Sequence, residues 1–149
     1  MFFNCSSIIS LDLSHITIPN AIYTTYMFYG CESLTFLDIS KFQTSSVIDM
    51  DGMFYHCIAL KSLNLNNFDT SSVICMDNMF KGCENLEILE FKNIKINSEC
   101  TFKFFLDGCE NLHYLNFFSL NEENNFFYEE LTDLNDGIII CINSFSSFI

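Results

Sequence analysis

The chain has 149 residues, half of them apolar and 16% aromatic, with 18 Phe and no Trp, enough for one packed domain. Six Lys and Arg against 19 Asp and Glu leave a net charge of −13, which argues against binding nucleic-acid phosphates or docking on an anionic membrane. The longest aliphatic run, residues 138–140, falls far short of the roughly 18 residues that span a bilayer, so no direct membrane insertion is expected, and no basic stretch leads into a signal-peptide core.

A period of 26 residues runs through the chain. Cys5, Cys31, Cys57, Cys83 and Cys109 are each 26 apart, and aligning on them divides residues 1–130 into five units: 1–26, 27–52, 53–78, 79–104 and 105–130. No insertion or deletion is needed. Unit position 1 holds Met1, Met27, Met53, Met79 and Phe105; position 2 holds Phe2, Phe28, Phe54, Phe80 and Leu106. Position 11 is always leucine: Leu11, Leu37, Leu63, Leu89 and Leu115. Positions 8, 13 and 16 are apolar in every unit.

Within a unit the spacing gives local structure in chain order. Met50, Met53, Phe54 and Cys57 fall at i, i+3, i+4 and i+7, one face of a short helical turn. Gly30, Gly82 and Gly108 precede the cysteine, where a left-handed residue ends such a turn; Asn4 and His56 take that place in two other units. Leu37-Asp38-Ile39 then alternates in, out, in, the period of a strand. The corners Gln43-Thr44-Ser45-Ser46 and Asp69-Thr70-Ser71-Ser72 follow, with hydroxyls that can satisfy backbone N–H groups. One unit cannot bury its apolar columns alone, but five stacked units can. The expected fold is an α/β leucine-rich-repeat solenoid, with a parallel β-sheet on one face and short helical turns on the other. The columns weaken after about residue 120, and residues 131–149 read as a degenerate C-terminal cap or the start of a post-repeat segment. Met1 already occupies a column, which reads as a window onto a longer array.

The run Met53-Phe-Tyr-His-Cys-Ile-Ala-Leu-Lys-Ser-Leu-Asn-Leu-Asn-Asn-Phe-Asp-Thr-Ser-Ser-Val-Ile-Cys-Met76 resembles the repeat of BspA-like leucine-rich-repeat surface proteins. The second and third units match it nearly throughout. The first and fourth lose the Asp-Thr-Ser-x-Val corner, reading Thr17-Ile-Pro-Asn-Ala21 and Lys95-Ile-Asn-Ser-Glu99, and the fifth keeps only its first half. The resemblance implies a cell-surface or secreted protein used in adhesion and binding of a protein ligand. The alternatives are an intracellular scaffold that recruits a protein partner, and a structural spacer.

No catalytic, cofactor or metal site is expected. A single-file cysteine column cannot surround one ion tetrahedrally, and no C-x-x-C occurs, so the ladder reads as buried free thiols. Cys75, Cys100 and Cys141 lie outside it. Asp49-Met-Asp51-Gly52 lacks the remaining ligands of a calcium loop. His15, His56 and His113 occupy different unit positions, and no Ser/His/Asp set or nucleotide loop is present. The outward strand columns vary while the inward ones do not. They make the candidate protein-binding face: Phe36, Asp38, Ser62, Asn64, Ile88, Glu90, Tyr114, Asn116 and Phe118.

Overall fold

The period-two stretch of each unit forms a short strand: β1 Ser10–Asp12, β2 Phe36–Asp38, β3 Ser62–Asn64, β4 Ile88–Glu90 and β5 Tyr114–Phe117. A sixth, β6, runs Ile139–Ile142. The computed structural model describes residues 1–96, 98–117 and 137–142, with Ile142 described by its backbone alone. Phe118 and most of the 131–149 segment lie outside the described residues. All strand pairs are parallel, and the register is the repeat itself. Leu11 faces Leu37, Leu63 faces Leu89, and Leu89 faces Leu115. β6 pairs with β5 one residue short of that period, Tyr114 opposite Ile139. Pairing joins β1 to β2 and runs from β3 through β6, but it does not join β2 to β3.

The inward columns stack coil upon coil. Phe2, Phe28, Phe54 and Phe80 lie ring on ring, with centroids 5.4, 5.6 and 5.5 Å apart. The next step is edge-on, Phe80 to Phe105 at 5.1 Å, because the fifth unit opens Phe-Leu where the others open Met-Phe. Cys31, Cys57, Cys83 and Cys109 form one interior column, and Cys5 is half-buried at its end. Each thiol of Cys31, Cys57, Cys83 and Cys109 donates to the position-2 carbonyl of the preceding coil at 3.1–3.2 Å. All eight cysteines are free.

The expectation of an α/β solenoid with helical turns is overturned. Among the described residues there is no helix, and the fold is a β-solenoid of parallel strands joined by consecutive tight turns. A helix sends each N–H back four residues in its own segment. Here Met27, Tyr29 and Cys31 reach back three, to Thr24, Tyr26 and Phe28. The N–H groups between them cross to the next coil: Tyr26 to Asp51, Phe28 to Met53 and Gly30 to Tyr55. Single parallel bridges, Tyr23 to Asp49, Asp49 to Cys75 and Cys75 to Thr101, extend this second ladder. Among the described residues two left-handed positions recur and enforce the turns. Position 4 was anticipated, with φ between 57° and 75° in Asn4, Gly30, His56, Gly82 and Gly108. Position 26 was not: Tyr26, Gly52, Asn78 and Phe104 hold φ of 52–57°.

Width explains why the helix loses. An α-helix with side chains is about 10–12 Å across, whereas hydrogen-bonded strands lie about 4.8 Å apart. These coils are hydrogen-bonded to one another on the turn side as well as the strand side, so there is no room for one. The i, i+3, i+4, i+7 pattern still marks what points inward, since Met50, Met53, Phe54 and Cys57 are all fully buried. It reports burial on a turn of the coil and leaves the backbone type open.

The Asp-Thr-Ser corner works as a clasp between coils. Thr44 is buried; its hydroxyl accepts the Asp69 N–H at 2.8 Å and donates to the Asp69 carbonyl at 3.0 Å. Thr70 repeats this with Lys95, at 2.7 and 2.8 Å.

Candidate functional site

The outward sheet face is built by the strands alone: alternation buries position 11 and turns positions 10 and 12 out. Phe36 stands 52% exposed and Ile88 38%, with Ser62 and Asn64 exposed between them. Asp38 is half-buried, and its Oδ1 accepts the Ser40 N–H at 2.9 Å. Asn64 does the same for Asn66 at 3.0 Å. Both therefore close the turn after their own strand, whatever else they touch. Glu90 Oε2 accepts the side-chain amides of Asn66 at 2.6 Å and Asn64 at 3.3 Å. The face closes toward β5. Tyr114 is half-buried and Asn116 only 6% exposed, the latter donating through Nδ2 to the Tyr114 hydroxyl at 3.3 Å.

The structure thus brings Phe36, Asp38, Ser62 and Asn64 together, and they line a cleft of about 570 Å³ between β2 and β3, with Thr35 and Asn66 beside them. At the other joints between coils, position 13 donates its N–H to position 12 of the next coil. Leu13 reaches Asp38 at 2.8 Å, Leu65 reaches Glu90 at 2.7 Å, and Phe91 reaches Asn116 at 2.9 Å. Position 9 likewise donates back: Thr35 to Ile9 at 2.8 Å, Glu87 to Lys61 at 2.8 Å, and His113 to Glu87 at 3.1 Å. Among the described residues the counterparts, Ile39 to Asn64 and Lys61 to Thr35, are not formed. The gap is tied at both ends. Ala59 N–H donates to the Glu32 carbonyl at 3.0 Å, and Asn67 Nδ2 bridges the carbonyls of Ile39 and Phe42 at 3.2 and 3.0 Å. Leu37 on the cleft floor keeps 9% exposure, whereas Leu89 and Leu115 in the same column are fully buried.

A side-chain difference accompanies the opening. At the joint from the third to the fourth coil, Asn66 Oδ1 accepts the Lys92 N–H at 2.8 Å. One coil earlier the same position is Ser40, which is too short for that reach, and the Asn66 N–H turns to its own Asn64; Ser14 and Ser40 stand in the same way at the closed first joint, so this difference alone does not open the cleft.

A second surface feature was not read from the sequence. Unit position 3 carries Phe3, Tyr29 and Tyr55 along the turn side, with Phe3 and Tyr29 stacked at 4.8 Å and Tyr29 edge-on to Tyr55 at 5.2 Å. His56 packs on Tyr55 at 4.6 Å. A Cβ at Gly52 would run into the Tyr26 ring, so these aromatics dictate glycine beside them. The Asp51 carboxylate bonded to Tyr26, with burial, pushes that phenol up to about 12. The column ends in charge, with Lys81 2.9 Å from Asp107 and 4.3 Å above the Phe104 ring. In the sequence, column 3 is aromatic in three units and charged in the next two.

The repeat solenoid is compatible with a binding or a structural role. Among the described residues, no three His, Cys, Asp or Glu side chains are grouped to hold a metal ion. Burial pushes the Cys57 and Cys83 thiols far up, and Cys109 to about 12, so the column is kept protonated at neutral pH. Among the described residues, no helix is long and apolar enough to cross a membrane.

No curated protein and no solved structure matches the chain. One family model does match, over residues 1–115, the stretch in which the inward columns persist. The chain belongs to the family described as Mycoplasma protein of unknown function, DUF285.

Proposed function

We propose that this chain is a non-enzymatic binding segment whose outward sheet face takes a protein ligand, serving adhesion in a cell-surface or secreted protein. The observation that carries this reading is the contrast between columns. Position 11 is Leu in every unit, while position 10 changes through Ser10, Phe36, Ser62, Ile88 and Tyr114. Where position 10 is apolar, Phe36 and Ile88 stand exposed beside hydrogen-bonding groups, the chemistry of a protein hot spot. The adhesive role and the surface location rest on the resemblance to BspA-like repeats.

The test uses beads coated with the purified chain, applied to cultured epithelial cells and to fibronectin and collagen coats. Wild-type beads should adhere. Replacing Phe36→Asp and Ile88→Asp together should cut adhesion about tenfold, the equivalent of roughly 1.4 kcal/mol. Both positions are exposed, so the fold should survive. Adhesion that is absent, or that the double substitution leaves intact, overturns the reading.

A further inference from the structure

We propose that the cleft between β2 and β3 is a docking groove for an extended peptide segment, gripped by main-chain hydrogen bonds to an open strand edge. This rests on the protein-binding reading of the sheet face and names the part of the ligand that the face would take.

In a strand, the N–H and C=O of one residue point to the same side and the next residue's point to the other. At the intact joints, positions 11 and 13 look toward the following coil, and positions 10 and 12 look back. By that register, Leu37 and the Ile39 N–H look into the cleft from β2, and the main-chain groups of Ser62 and Asn64 look into it from β3. Strand pairing claims the equivalent groups at the first, third and fourth joints, and here it claims none of them. A free strand edge is a template for another strand, and this cleft has two, facing each other. A polypeptide backbone presents donors and acceptors at the two-residue spacing that either edge requires. Addition of an extended peptide to a sheet edge is a general mode of recognition.

The size and the walls narrow the segment. A volume of about 570 Å³ lies within the roughly 300–1,000 Å³ range of ligand pockets. The ties at Ala59–Glu32 and at Asn67 limit the paired stretch to a few residues. Leu37 supplies an apolar floor and Phe36 an exposed aromatic rim, which suit an apolar side chain pointing inward. Asp38 at the far end, on a chain of net charge −13, suits a basic or amide side chain there.

The experiment titrates the ¹⁵N-labelled chain with the acetylated, amidated pentapeptide Ser-Leu-Asn-Leu-Asn. This copies residues 62–66, a sequence that already pairs as a parallel strand in this fold. A second peptide has the same side chains with alternate backbone nitrogens methylated, which removes donors without altering the protein. Saturable shifts confined to residues 35–40 and 60–66 are expected. Hydrogen exchange at the Leu37 and Ile39 N–H groups should slow about tenfold or more, and the methylated peptide should bind about tenfold more weakly. Equal effects of the two peptides, shifts spread over the other joints, or no shift at millimolar peptide overturn the proposal. So does slow exchange at Leu37 and Ile39 in the free chain, matching Leu11 and Leu65, because the cleft is then closed in solution. The outcomes separate from those of the adhesion test. Adhesion lost on Phe36→Asp and Ile88→Asp with no peptide effect overturns the groove alone. Peptide binding without adhesion leaves the groove and overturns the adhesive role.

Discussion

The joint between the second and third coils is open on its strand side and closed on its turn side. On the turn side the ladder runs through without interruption: Phe28 N–H donates to the Met53 carbonyl at 2.9 Å, the Cys57 thiol donates to the Phe28 carbonyl at 3.2 Å, and the Phe28 and Phe54 rings stack. On the strand side the two pairings that neighbouring joints make are missing. Strand pairing can therefore lapse over one joint while the coils remain stacked. The columns and the turns hold this solenoid together across that joint, and strand pairing is the part that lapses.

That contrast predicts where the largest loss of stability lies. Phe54→Ala removes the ring between Phe28 and Phe80 and leaves a cavity against fully buried neighbours. A loss of about 3–5 kcal/mol is expected in urea denaturation. Phe36→Ala on the open face should shift the midpoint by less than about 0.5 kcal/mol. Comparable losses at the two sites would break the comparison.

The thiol column gives the next effect, in pH. Burial raises the folded-state values of Cys57, Cys83, Cys100 and Cys109 above the ordinary 9.0, the last two to about 12. For an acid raised in the folded state, the contribution to stability is complete below the unfolded value and is lost as pH rises toward the folded one. Stability should fall from about pH 9 upward, approaching roughly 1.4 kcal/mol per pH unit for each buried thiol. Cys83→Ala should reduce the slope measured by denaturation between pH 8 and 11. An unchanged slope would mean that the thiols meet solvent.

The two threonine clasps sharpen the comparison further, because Thr44 spans the open joint and Thr70 the closed one. Valine keeps the shape and strands a main-chain N–H and a carbonyl, a loss of about 1–3 kcal/mol at either site. Thr44→Val should also speed amide exchange throughout the second-to-third joint, where fewer ties remain. Thr70→Val should leave exchange at Leu65 slow, since its 2.7 Å bond to Glu90 persists.

The sequence carried the period, the inward set and the left-handed site at position 4, because glycine, asparagine and histidine there announce the conformation. Position 26 is only half legible: Gly52 and Asn78 admit the conformation, whereas at Tyr26 and Phe104, poor advertisements for positive φ, the stack imposes it. Helix and turn could not be told apart from Met50, Met53, Phe54 and Cys57, since both backbones bury that spacing. What decides is the width available between hydrogen-bonded coils, a property of the whole array. The cleft was hidden because the second and third units are the most regular in the chain. The closure around Asn116 was hidden because its column is polar in every unit.

The smallest effect concerns the acid side of the Asp69 corner. The Ser71 hydroxyl and N–H bonded to its carboxylate, with the Lys95 charge 3.5 Å away, hold Asp69 below the usual carboxylate value. A carboxyl lowered in the folded state adds stability above its unfolded value of 3.8, and that contribution disappears as pH falls through the folded one. The group is substantially exposed, so solvent screens it and the contribution should stay under about 1 kcal/mol. Asp69→Asn isolates the charge. Asn64 shows that a neutral amide can accept the N–H two residues on, at 3.0 Å, in this same fold. The variant should therefore keep nearly all of its stability at pH 7 while its denaturation midpoint changes less than wild type between pH 5 and 3. If it loses stability at pH 7 by as much as Thr70→Val, the corner depends on the Lys95 pairing more than on the turn it closes.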